Sequence, residues 1–180
     1  MNCRLEKVHA ARFSEYARAG RPSPDPTKGT YMTVPLFFQS SEQTCGAACL
    51  RMLLAGFGAS HDEATIAQHC GLTPLGCTVQ GLVSGAISLG FNAALLPVVG
   101  EAAAITALSN EAPFVAMIDL GSLTSQGPMF QWHFVVPLGL VQNEVIFHDP
   151  ADGPDRRAKL NDFLAAWATA GYRGVRVWTP

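Results

Sequence analysis

Between residues 29 and 150 the chain carries one basic residue, Arg51. The same 122 residues hold eight acidic ones, Glu42, Asp62, Glu63, Glu101, Glu111, Asp119, Glu144 and Asp149. So charge-poor a stretch must bury much of itself, and a length of 180 residues suits one domain with its own core. Charge gathers at the two ends instead, with a net +3 over residues 1–28 and +2 over 151–180. With 48% hydrophobic residues and a net charge of −2, disorder of the whole chain is excluded. No nucleic-acid partner is expected, because neutralising phosphates takes clustered Lys and Arg.

A 19-residue uncharged stretch, 81–99, GLVSGAISLGFNAALLPVV, invites a membrane reading. Its three glycines, Asn92 and Pro97 suit an apolar helix followed by a buried strand better than a span. The N-terminus has no apolar h-region, so no signal peptide is read there. Five cysteines, Cys3, Cys45, Cys49, Cys70 and Cys77, make an odd number. Without a signal they read as reduced thiols in the cytoplasm rather than a disulfide framework.

Residues 1–30 form a basic arm, helical over 1–20, and a Pro-rich linker, RPSPDPTKG. The domain is placed at 31–180. Residues 33–38 read as extended, held so by Pro35. A helix opens at Thr44–Cys45 and stops at Gly56 or Gly58. Ser60 to Glu63 fits a capping box for a second helix that ends before Gly71. Thr78 caps a third, which ends at Gly90. A strand over 91–97, a helix over 101–109 and a strand over 114–120 follow. Residues 121–128 read as a loop. Strands are expected at 132–138 and 144–149, a turn-rich loop at 149–155, a helix at 160–170 and a last strand at 174–178. Helices first and mostly strands later make an α+β domain, helices packed on an antiparallel sheet.

Cys45 sits in QTCGAACL, where a loop gives way to an apolar helix. Free N–H groups and the dipole at a helix N-terminus stabilise a thiolate, the nucleophilic form. By position alone, Cys45 reads equally well as a small buried core residue. A nucleophile needs a base, and the histidines are His9, His61, His69, His133 and His148. His133 opens the strand HFVVPL, so a sheet would hold its ring. His148 and Asp149 are strand neighbours and point to opposite faces, so one of the two can face a site. Asp149 can orient the His133 ring, or simply start the turn at Pro150. Gln39, six residues before Cys45, can return an amide to an oxyanion, or be a solvated loop residue.

The pattern Gln39, Cys45-Gly46, Ala48-Cys49-Leu50, then His133-Phe134-Val135-Val136 and Asp149-Pro150, resembles the bacteriocin-processing peptidases. These are papain-like cysteine peptidases that cleave leader peptides after a double-glycine motif. The resemblance covers residues 31–180, with LNDFLAAW similar to the family's closing helix. It implies a papain-like fold, with N-terminal helices on a C-terminal antiparallel sheet. It also implies Cys45 as nucleophile, His133 as base, Asp149 as its orienting carboxylate and Gln39 as oxyanion donor. Thr44 stands where the family often has Asp, and Ala47 where it often has Pro; neither change removes a catalytic group. With no span and no Gly-Lys-Ser/Thr phosphate loop in this chain, a free-standing member is expected.

The resemblance further implies a peptide or protein substrate, with a precursor peptide or an exporter as partner. No cofactor is expected, and the oligomeric state is left open. His69, Cys70 and Cys77 match no common zinc spacing, so no metal is expected. Cys49 reads as core packing, and Trp132 as either a shield for the site or core. The same triad would serve an acyltransferase or transamidase, in which an amine replaces water. A non-catalytic peptide-binding module is the remaining reading, and it has no need of all four residues.

Overall fold

The segment CGAACLRMLLAG has apolar or small residues on every side, and a helix of that kind is stable only when surrounded. It forms helix α1, Cys45–Gly56, in which Arg51, Ala55 and Gly56 alone are not buried. The structure, a computed structural model, describes residues 33–124 and 126–180. The expected helix over 1–20, the linker and the domain start at 31 lie outside the described residues. Small side chains set how close α1 can come to the sheet. A Cβ on Gly46 would stand 3.1 Å from the Phe134 ring and 3.3 Å from both Cys77 and Leu82. The helix stops where Gly58, at φ 87°, turns its N–H to Ala55 O at 2.9 Å, and Ala59 N–H reaches Leu54 O at 3.0 Å. This pair of bonds satisfies the last carbonyls, and the left-handed backbone it needs favours glycine.

Helix α2, Glu63–His69, begins differently from expectation. Its cap is Asp62, whose carboxylate accepts from Thr65 N–H at 2.7 Å. Ser60 takes no part as the cap, because the chain turns into the helix two residues later. Helix α3, Val79–Ser88, is capped by Thr78 as expected, through Gly81 N–H at 2.9 Å, and ends at Gly90. The uncharged run 81–99 thus divides between α3 and strand β1, Asn92–Leu95. Among the described residues no helix is long and apolar enough to cross a membrane.

Helix α4, Glu101–Asn110, leads to β2, Val115–Asp119, whose five residues are all buried. A short helix α5, Leu120–Leu123, occupies the start of the expected loop 121–128. Strand β3, Trp132–Val141, runs three residues longer than expected. Gln142 and Asn143, at φ 50° and 67°, make a two-residue turn into β4, Glu144–Asp149. Strand β5, Gly153–Lys159, begins inside the turn-rich loop expected at 149–155 and continues through residues for which no element was expected. Its sequence, GPDRRAK, lacks strand character because it is an edge, where charge and Pro discourage further pairing. Helix α6, Leu160–Thr169, and strand β6, Gly174–Trp178, complete the order.

The six strands form one sheet in the order β1-β6-β2-β3-β4-β5, with every pairing antiparallel. Alternation along β2 explains its complete burial. Val115 and Met117 join Phe134, Val136 and Val175 in one core with Leu50, Met52 and Leu53 of α1. Ala116 and Ile118 join Val135, Val145 and Phe147 in a second core, with Leu108 of α4 and Phe163 and Trp167 of α6. Helices therefore cover both faces, α1 to α3 on one and α4 and α6 on the other. Each fully buried Leu or Phe contributes roughly 1.5–3 kcal/mol relative to exposure.

Candidate active site

Cys45 is the first residue of α1 and is 7% exposed. The residue before it, Thr44, does not cap the helix with its side chain. Its hydroxyl instead accepts from Ser41 N–H and donates to Ser41 O, both at 3.0 Å, closing the tight turn 41–44. The opening turn of α1 gains another partner from Cys77, whose sulfur accepts the Ala47 N–H.

His133 is positioned by the register of β3 and β4. Val136 pairs with His148, so continuing the ladder sets Val135 opposite Asp149. His133 is then the diagonal neighbour of Asp149 on the same face, within reach of a side-chain bond. His133 Nε2 lies 2.8 Å from Asp149 Oδ1, with both residues buried. Nε2–H donating to the carboxylate leaves Nδ1 free for a further partner, and the Cys45 sulfur also acts on the charge of the ring. Burial works against a charged ring here. The hydrogen bond to Asp149, then the Cys45 sulfur and both negative charges, outweigh it and raise the His133 pKa to about 9. Burial likewise opposes ionisation of Asp149. The His133 bond and charge, with the N–H groups of Ala151 and Asp152, hold its carboxyl below the usual range.

The two readings of Asp149 turn out to be compatible. Its Oδ1 accepts Ala151 N–H at 2.8 Å, an Asx-type turn through Pro150, while it also holds the imidazole. His148 points the other way. Its Nε2 lies 3.0 Å from Val34 O, its Nδ1 accepts Asp155 N–H at 3.2 Å, and burial pushes its pKa down. His61 and His69 flank α2 away from this cluster, and His69 Nδ1 bonds Ser88 Oγ at 2.7 Å. His9 is outside the described residues.

Gln39 is brought to the same place by its backbone. Its N–H donates to Pro150 O at 3.0 Å, beside Asp149. Its Nε2 donates one proton to Ser41 O at 2.8 Å, and its Oε1 is buried without a partner. Cys45, His133, Asp149 and Gln39 thus converge where α1, β3, β4 and the 33–44 segment meet.

Cys49, Cys70 and Cys77 have structural partners. Cys49 Sγ lies 3.2 Å from Phe134 O, and burial raises its pKa well above normal. Cys70 and Cys77 hydrogen-bond each other. Among the described residues no three His, Cys, Asp or Glu side chains gather in a way that could hold a metal ion. Trp132 is on the surface, 47% exposed, with its ring 5.8 Å from that of Phe130 in an edge-to-face pair.

Sequence reasoning missed two carboxylates. Asp119 is fully buried, and accepts from Ser122 N–H and Oγ, Met129 N–H and Gln131 N–H at 2.8–3.1 Å, tying down the segment before His133. Glu63 accepts from Ser40 N–H at 2.9 Å and from Ser40 Oγ at 2.6 Å. The capping-box reading had assigned Glu63 a local role, which hid the remote one.

Residues 33–172 match the sequence model of the peptidase C39 family. A stretch of 123 residues, 67% of this chain, is 29% identical to the colicin V secretion/processing ATP-binding protein CvaB of Escherichia coli. The probable microcin-H47 secretion/processing protein MchF of the same organism matches equally. The chain spans 15% of the length of these relatives. The peptidase domain of Streptococcus ComA, a bifunctional transporter in a quorum-sensing pathway, superposes with a TM-score of 0.67 at 20% identity. That match covers 84% of this chain and 100% of the ComA domain. A double-glycine-motif protease from an AMS/PCAT transporter, solved with a leader peptide, gives 0.67 at 22% identity over 86% and 96% of the two chains.

Proposed function

The chain belongs to the peptidase C39 family of cysteine peptidases, and from that premise we propose that it cleaves a peptide bond after a double-glycine-type leader, using Cys45, His133, Asp149 and Gln39. The observation that carries this reading is the 2.8 Å contact of His133 Nε2 with Asp149 Oδ1, a buried pair whose imidazole the Cys45 sulfur helps to keep charged.

A His133 pKa of about 9 makes the ring an imidazolium at neutral pH, and a thiolate beside an imidazolium is the reactive form of such a pair. The Cys45 sulfur attacks the substrate carbonyl carbon. Negative charge moves to the carbonyl oxygen, where the Cys45 N–H and the second Gln39 Nε2 proton receive it. His133 gives its proton to the leaving amine as the C–N bond breaks, and a thioester remains. Neutral His133 then takes a proton from water, whose oxygen attacks the thioester and releases the acid. Asp149 keeps Nε2 protonated and the ring in place throughout.

Residues 31–180 form the proposed peptidase domain, with 1–30 as an arm before it. A cytoplasmic setting agrees with Cys45, Cys49, Cys70 and Cys77 all being free thiols. The partner on this reading is the precursor peptide, and an exporter that receives its product.

Incubation with a double-glycine leader peptide tests the reading, with Cys45→Ala as control. Cleavage after the glycines that disappears in the variant is expected, and the product acid should carry the mass of added water. No cleavage, or cleavage that survives the substitution, overturns it.

A further inference from the structure

The amide of Gln39 does little to fix its own orientation. Its Oε1 is buried with no partner, and one Nε2 proton rests on Ser41 O. A buried acceptor left alone is costly, so the chain around this amide must do more to hold it in place than its one bond does. On one side, Gln39 N–H is held by Pro150 O at 3.0 Å, which ties it to the Asp149 turn. On the other side the next residue, Ser40, is held twice by a single carboxylate. Glu63 Oε1 takes the Ser40 N–H at 2.9 Å and the Ser40 hydroxyl at 2.6 Å. Ser40 is an exposed residue, and such a position does not order itself. Glu63 is 8% exposed, although a carboxylate is rarely buried unless it serves a partner.

Glu63 belongs to the first turn of α2, a helix whose cap is already supplied by Asp62. Its side chain is therefore free of local duty, and it reaches across 23 positions to the segment that carries Gln39. We propose that Glu63 is the positioning residue for the oxyanion site: through Ser40 it sets where the Gln39 amide stands relative to Cys45. This rests on the assignment of Gln39 above and adds the residue that makes that assignment geometrically stable. Charge-assisted bonds to a carboxylate are the stronger kind, so one buried Glu can hold an exposed loop residue.

A double-mutant cycle with the leader peptide as substrate tests the proposal. Q39A is expected to lower kcat by about 100-fold, the usual loss for one oxyanion donor. E63A is expected to lower kcat roughly tenfold with KM little changed, since misplacement short of removal costs less. E63Q keeps an acceptor for Ser40 and should recover most of that loss. In the Q39A background, E63A should have no further effect, because the group it positions is gone. Alkylation of Cys45 by iodoacetamide should proceed at the wild-type rate in E63A, which a general loss of structure would not allow. If E63A fails to fold, S40A, which removes only the hydroxyl donor, carries the same cycle.

Losses that multiply across the two sites would overturn the role of Glu63 while leaving Gln39 in place. A wild-type kcat in E63A would do the same. A wild-type kcat in Q39A would overturn the Gln39 assignment, and Glu63 with it.

Discussion

One carboxylate oxygen, Asp149 Oδ1, holds His133 Nε2 at 2.8 Å and the N–H of Ala151, two residues further on, at the same distance. The turn that ends β4 and the group that orients the proposed base are therefore one feature. Asp149→Asn should separate the two roles. The Asn side-chain oxygen can still cap the turn, but the negative charge that supports the imidazolium is lost. We expect kcat to fall by about 10³-fold or more, with thermal stability changed far less. The His133 pKa should fall from about 9, as read by NMR titration of the ring or by the pH dependence of Cys45 alkylation. An unchanged pKa would show that Asp149 is a turn-former alone.

The two buried histidines of the sheet give stability opposite pH dependences. His133 is raised from 6.5 to about 9, so its contribution is complete below pH 6.5 and disappears as pH rises through about 9. His148 is lowered, so its neutral form is the folded one, and stability is lost as pH falls from 6.5 through its folded value. Melting temperature against pH should therefore fall on both sides. His133→Ala should flatten the alkaline limb, and His148→Gln the acidic limb. The reverse assignment of the limbs would contradict the bonding of both rings.

Gly46→Ala should destabilise the fold by about 1–3 kcal/mol, the usual cost of overpacking. The added Cβ would press on Phe134 at 3.1 Å and on Cys77 and Leu82 at 3.3 Å, in the layer where α1 meets the sheet. Because Cys45 precedes this residue, kcat should fall as well. Urea denaturation with steady-state kinetics measures both effects.

Cys45, Cys77 and Cys49 should react with iodoacetamide in a fixed order. Cys45 should be modified first at neutral pH, because an imidazolium stands beside it. Cys77 should follow, being partly exposed, with its pKa lowered by the Cys70 thiol and the Ala47 N–H. Cys49 should stay unmodified until the chain unfolds, since burial raises its pKa and Phe134 O holds its sulfur. Peptide mass spectrometry of partly labelled protein reads the order directly.

Features that depend on near neighbours were legible from residue order. Thr78 caps α3, Gly58 and Gly90 end two helices, and alternation sends His148 and Asp149 of β4 to opposite faces, because each rests on contacts a few residues apart. The proposed site residues Gln39, Cys45, His133 and Asp149 were named by the resemblance of their motifs to the bacteriocin-processing peptidases, since by position alone each also had a purely structural reading. Strand β5 escaped because an edge strand needs no apolar face, and GPDRRAK therefore resembles a turn. Ser60 was misread as a cap because Asp62 offers an equally good acceptor two residues later, and only the chain's path decides between them.

By its sequence alone, then, this protein was committed to a buried helix opening at Cys45 and to an antiparallel sheet that carries His133 and Asp149. Only the tertiary structure decided that His133 and Asp149 meet on a diagonal, that His148 turns away to Val34, 114 positions distant, and that Glu63 holds Ser40. The physical reason is the reach of each interaction. Capping, turns and alternation act within a few residues, whereas a bond between distant segments exists only after strand register and helix packing have set their relative positions.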